Sequence, residues 1–257
     1  MKLRMTAIPA ALFALSFAPQ VGTAQWLNYP AAGVPRGADG KVILTAPVQR
    51  LSDGKPDFSG VWSPDNLSYL TYIGADGTPM PMRPWANAVL LHRQATKGKE
   101  DPDANCTLPG VPRIDSVPNP FKILQSPDEV VILYEAFTTF RQVFMDGRGL
   151  PEDPQPAWNG YSVGKWDGDA LVIETAGFND NTWLDNAGTP HSEALHVTER
   201  YRRRDIGHLD IQITVDDPKT FLHPFTVTEH EHLLPDTTLL EFICSENNKD
   251  LKHLVGE

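Results

Sequence analysis

The stretch NTWLDNAGTPHSEALHVTER, residues 181–200, gathers Asp185, His191, His196, Glu193 and Glu199 beside Trp183. These residue types suit proton transfer, because an imidazole titrates near neutral pH and a carboxylate that accepts its ring N–H fixes its tautomer. His191 with Asp185 is the acid–base pair this spacing suggests, and Glu199 is a second acid or base. A structural reading competes with it. Asp185 can cap its own turn while His191 bonds to backbone, since Asx-turns are common.

Alternation along EALHVTERYRR puts Leu195, Val197, Glu199 and Tyr201 on one side, and His196, Thr198, Arg200 and Arg202 on the other. If the aliphatic side faces inward, Glu199 is a carboxylate inside a β structure. Burial then raises its pKa unless a cation such as Arg141 of TFRQVFMDG pairs with it. Glu135 of VILYE poses the same choice. Glu199, Glu135 and Arg141 would form a polar floor for a ligand, with Tyr201, His196 and Trp183 as further contacts.

His230 and His232 of TEHEH share a strand face, a spacing that β-built metal sites use, but they need a third ligand from His223, His191 or Glu199. The same face carries Thr226 and Thr228 and reads as solvent. No cofactor is expected, and a divalent metal is the alternative. No GxSxG nucleophile elbow and no phosphate-binding loop is present.

The elements that must hold these residues are mostly strands. FKILQ, EVVILYE and TFRQVFMDG read as three strands with tight turns, and YSVGKW and ALVIETAGF flank an Asp167-Gly168 hairpin signal. EALHVTERYRR, HLDIQITVDD, PFTVTEHEHLL and TTLLEFICSE follow. Eight or nine strands with short connections predict a mainly β fold, an antiparallel up-and-down barrel of lipocalin-like type with room for one small ligand. One short helix is expected near 84–97, with Pro84 in its first turn and Trp85, Val89 and Arg93 on one side.

The N-terminus, MKLRMTAIPAALFALSFAPQVGTAQ, has Lys2 and Arg4 before a short apolar run and small residues at Gly22 and Ala24. This is the pattern of a signal peptide over 1–24, which makes the chain an exported one, periplasmic or extracellular. Residues 25–52 read as an extended arm, and 53–257 as a single barrel domain. DPDANCTLPGVPR is expected to carry Cys106 across the surface, and Cys106 and Cys244, the two cysteines, to form a staple. A formal net charge of −11 disfavours nucleic acid or an anionic membrane surface as a partner, and no stretch is long and apolar enough to insert. The expected partner is a small organic molecule.

PDFSGVW, CTLPGVPR, GKWDGDALVIETAGF and PHSEALHVTER together resemble a large group of exported, mostly uncharacterised bacterial proteins, many from soil lineages. The resemblance runs from about residue 53 to 250 and implies that Trp183, Asp185, His191, His196 and Glu199 occupy matching positions, without implying a reaction. Where many members read GHSIGRW this chain has GYSVGKW, with Tyr161 in the place of a histidine. Three functions follow as expectations. The first is a small-molecule enzyme using His/Asp/Glu acid–base chemistry of lyase, isomerase or hydrolase type. The others are a carrier of a hydrophobic ligand and a metal-dependent enzyme built on His230 and His232.

Overall fold

The computed structural model describes residues 30–246, so the leader at 1–24 and the first residues of the arm lie outside the described residues. Nine strands close a barrel in sequence order. They are β1 (Gly60–Pro64), β2 (Phe121–Gln125), β3 (Glu129–Tyr134), β4 (Thr139–Phe144), β5 (Tyr161–Asp167), β6 (Ala170–Ala176), β7 (His196–Arg203), β8 (His208–Asp216) and β9 (Phe225–Leu233).

Their directions do not alternate all the way round. A closed ring with an odd number of strands must contain a parallel neighbour pair, and here it is β4 with β5, joined only at Val143–Ser162 and Phe144–Val163. Every other neighbouring pair is antiparallel. The proline-rich excursion GLPEDPQPAW carries the chain back along the barrel between these two strands, so the uniform meander expected from sequence is interrupted once. The Asp167-Gly168 signal is realised as a tight hairpin, with Asp167 opposite Ala170 and Gly168 at φ 61°.

The inward faces follow the period-2 rule. Leu209, Ile211, Ile213 and Val215 of β8 are buried, as are Val197, Glu199 and Tyr201 of β7 and Phe225, Val227 and Leu233 of β9. With Trp62, Phe121, Ile123, Ile132 and Ile173 these residues, Glu199 excepted, form one continuous apolar cluster that packs the lumen. Each large aliphatic or aromatic side chain so buried contributes about 1.5–3 kcal/mol.

Among the described residues there are two α-helices, α1 (Ser68–Thr71) and α2 (Pro84–Ala95). The second is the expected helix, but it buries Ala86 and Leu90 rather than a Trp85 and Val89 face. Trp85 stays 45% exposed and donates its indole N–H to the Lys219 carbonyl at 2.9 Å. The arm lies against the barrel, where Gly207 N–H donates to the Leu44 carbonyl and Ile206 N–H to that of Ala46.

TTLLEFICSE, expected as a strand, is an irregular tail instead. Its anchors explain why it needs no ladder. The Glu135 carboxylate accepts from Leu240 N–H at 2.8 Å, and Cys244 is disulfide-bonded to Cys106 with a Cα separation of 5.5 Å. A cysteine pair of this kind fits an oxidising compartment. Among the described residues no helix is long and apolar enough to cross a membrane.

Candidate functional site

The loop after Cys106 does not stay on the surface. Its continuation forms a 3-10 turn over Arg113–Ser116 that enters one end of the barrel, leaving Ile114 and Asp115 fully buried. Arg113 fixes this plug by donating Nη1–H and Nη2–H to the two Asp101 carboxylate oxygens at 2.9 and 2.8 Å.

The plug meets a polar layer contributed by the barrel wall. Arg141 of β4 donates Nη1–H to Glu199 Oε1 at 3.0 Å and Nη2–H to Glu199 Oε2, closing a bidentate ion pair. It also reaches Ser162 Oγ on β5 at 2.9 Å and Thr175 Oγ1 on β6 at 2.6 Å. Tyr201 donates its hydroxyl to Glu199 Oε1 at 3.1 Å, and Tyr134 of β3 donates to Asp115 Oδ1 at 2.7 Å. From β9, Glu229 accepts from the Ser116 hydroxyl, and Glu231 lies on the same inward face.

This layer holds more carboxyl groups than partners. Asp115 Oδ2, Glu229 Oε2 and both oxygens of Glu231 are buried without a hydrogen bond. A buried polar atom left so costs free energy, and in native proteins such atoms concentrate where a proton, water or ligand is handled. Burial, helped by the nearby Glu199 charge and opposed by Arg141, pushes the Asp115 carboxyl up to about 7. Burial pushes Glu229 up to about 8, against the Ser116 hydrogen bond, with Asp115 and Glu199 adding to the rise. Glu231 is raised well above the carboxylate range, first by burial and then by Glu229.

Burial thus raises both the Asp115 and the Glu229 carboxyl toward the neutral range, the direction that suits a general acid or base. Neither was singled out in the sequence. Asp115 sits in a Pro- and Gly-rich loop without periodicity. Glu229 and Glu231 had a usable signal, since they share a face with Phe225, Val227 and Leu233 on a strand whose other face reads as solvent.

Of the residues singled out, Glu199, Arg141 and Tyr201 meet in this layer. Glu135 does not. Alternation through Val130, Ile132 and Tyr134 takes the lumen face of β3, so Glu135 lies outside and holds the C-terminal tail. His196 is also outward, 4.0 Å from Glu174.

The hydrogen bond expected between His191 and Asp185 is not made. Asp185 accepts from Ile73 N–H, Gly188 N–H, Thr189 N–H and the Thr189 hydroxyl at 2.6–3.0 Å, tying its loop to the segment after α1. His191 shares a 2.6 Å hydrogen bond with the Thr182 hydroxyl and lies edge-on to Phe178, and burial lowers its pKa. Trp183 is buried with the Arg93 guanidinium 4.4 Å from its ring, beneath α2. The cluster of residues 181–191 is thus a loop anchor.

His230 and His232 face outward as their flanking threonines indicated. Each bonds its own carboxylate, Asp210 at 2.6 Å and Asp65 at 3.0 Å. Among the described residues no group of three or more His, Cys, Asp and Glu side chains is arranged to hold a metal ion.

Two surface cavities matter here. The larger, about 530 Å³, runs between the arm and β1 and β9, away from the polar layer. The other, about 460 Å³, lies over the β4–β5 seam, and its lining includes Arg141 and Ser162 of the layer itself. Compared with known proteins, the chain matches no protein-family model, and no curated protein is similar to it.

Proposed function

We propose that this protein is an exported enzyme, periplasmic or extracellular, that carries out acid–base chemistry on a small organic molecule, of lyase, isomerase or hydrolase type. One observation carries the reading. Asp115 has one oxygen fixed by Tyr134 and the other buried and unpartnered, next to the Arg141–Glu199 pair.

In this reading Asp115 takes a proton from, or returns it to, the reacting carbon or oxygen. Tyr134 orients the carboxyl, and Glu229 is the second group that can exchange a proton near neutral pH. Arg141, its charge balanced by Glu199, is held rigid with Ser162 and Thr175 and fixes the polar layer beside Asp115. The chemistry moves only protons and electron pairs within the substrate or between substrate and water.

The packed lumen leaves no room for a large cargo and also encloses Asp115, so in this reading a substrate approaches the layer from the β4–β5 groove, whose lining includes Arg141 and Ser162. The test is to incubate the purified mature protein with a small-molecule extract of the cells that export it and follow every compound by mass spectrometry. Wild type should deplete a compound and form its product, and Asp115→Asn should slow this by at least ~100-fold while keeping its fold. Equal turnover by the variant, or a ligand that only binds and is recovered unchanged, overturns the reading.

A further inference from the structure

We infer that the groove over the β4–β5 seam is a binding site for a small aromatic acid that also carries a hydroxyl group. Topology creates the space. Because β4 pairs with β5 only at Val143 and Phe144, the part of β4 from Thr139 to Gln142 has no strand on that side, and the excursion after Gly149 walls the gap. The resulting volume of about 460 Å³ is within the range of small-ligand pockets.

The walls are apolar and aromatic on both sides of the gap. Phe140 on β4 is 59% exposed and Tyr161 on β5 is 39% exposed, large rings that water covers poorly. Tyr161 is held by donating its hydroxyl to the Gln155 carbonyl at 3.0 Å. A flat ring entering the groove covers both faces without rearranging the strands.

The polar groups decide what that ring must carry. In a chain of formal net charge −11, no aspartate or glutamate lines the groove, whereas Arg141 and Arg148 do. Glu199 neutralises Arg141. Arg148 stacks on Phe144 at 3.9 Å and is ion-paired with Asp146 through Nε and Nη2, so what it offers a ligand carboxylate at this exposed position is its Nη1 N–H edge. Asn159 lines the groove, and its Oδ1, buried without a donor, is the acceptor for a ligand hydroxyl that enters there. One guanidinium edge and one acceptor, set in an aromatic slot, match an acid with a hydroxyl on its ring.

The site is argued from its own walls and does not rest on the proton-transfer reading. The two adjoin through Arg141 and Ser162, which belong to both.

Titration calorimetry of the mature protein with 4-hydroxycinnamate, cinnamate and neutral 4-hydroxycinnamyl alcohol tests it. The hydroxy acid should bind with a Kd on the order of 100 μM, and each of the other two at least about tenfold more weakly. Phe140→Ala and Arg148→Gln, both at exposed positions, should each weaken the hydroxy acid about fivefold or more, while His230→Ala, outside the groove, binds as wild type does. Equal binding of the neutral alcohol, variants indistinguishable from wild type, or no binding of any of the three overturns the proposal. Binding intact with no turnover of any compound overturns the enzyme reading alone.

Discussion

The Tyr134 hydroxyl donates to Asp115 Oδ1 at 2.7 Å, and this bond joins the turn that plugs the barrel to a strand of its wall. Both residues are buried, so no water replaces the donor when it is removed. Tyr134→Phe should lower stability by about 1–3 kcal/mol. Urea denaturation checks this, with the midpoint lowered and the slope unchanged.

The Arg141–Glu199 pair has side-chain exposures of 2% and 0%, so removing one partner strands the other charge in the interior. Glu199→Leu or Arg141→Met alone should cost about 3–5 kcal/mol, and the double variant clearly less than the sum. A double-mutant cycle measured by denaturation decides it. Additive losses would mean that the two side chains act independently.

The raised carboxyls make stability depend on pH. Asp115 moves from 3.8 to about 7 and Glu229 from 4.5 to about 8 on folding, so between about pH 5 and about pH 8 the folded protein binds more protons than the unfolded chain. Stability from these groups is full only below their unfolded values of 3.8 and 4.5 and declines as pH rises through the folded ones. The Tm should therefore fall across this window, and in Asp115→Asn/Glu229→Gln it should fall less. A wild-type Tm that is level or rising there would contradict the assignment.

Cys106 and Cys244 lie 138 residues apart, so their bond constrains a long stretch of the unfolded chain. Replacing both by serine should cost about 2–5 kcal/mol. The same change frees the tail that Glu135 also holds. Proteolysis near residues 241–246 should then outrun cleavage of the barrel.

Asp185 accepts four hydrogen bonds in a fully buried position, none from His191. Asp185→Ala should destabilise by about 2–4 kcal/mol. Turnover per folded molecule should stay near wild type. A loss of turnover without loss of stability would return Asp185 to the chemistry.

Strand alternation in the second half of the chain carried most of the fold and placed Glu199 and Tyr201 inside, because the inward period of β7 and β8 is clean. EVVILY has apolar residues on both faces, so its sequence leaves the side of Glu135 open, and the neighbouring strands decide it. Asp115 was illegible for a different reason. Its burial comes from the plug entering the barrel, a tertiary event that no local pattern encodes. The 181–191 loop looked like chemistry because anchoring a loop and moving a proton draw on the same residue types; only its partners, backbone amides and Thr189, tell the two apart.

The pairing of Trp62 with Leu233 closes the barrel between its first strand and its last. Hairpins such as β5–β6 can form as soon as their residues are available, but closure waits for the end of the chain. Such non-local contacts slow folding, and they leave inward faces such as Phe121, Ile123 and Ile132 open to aggregation in the interval. Until β9 pairs with β1, the apolar strands and the carboxyl layer stay uncovered.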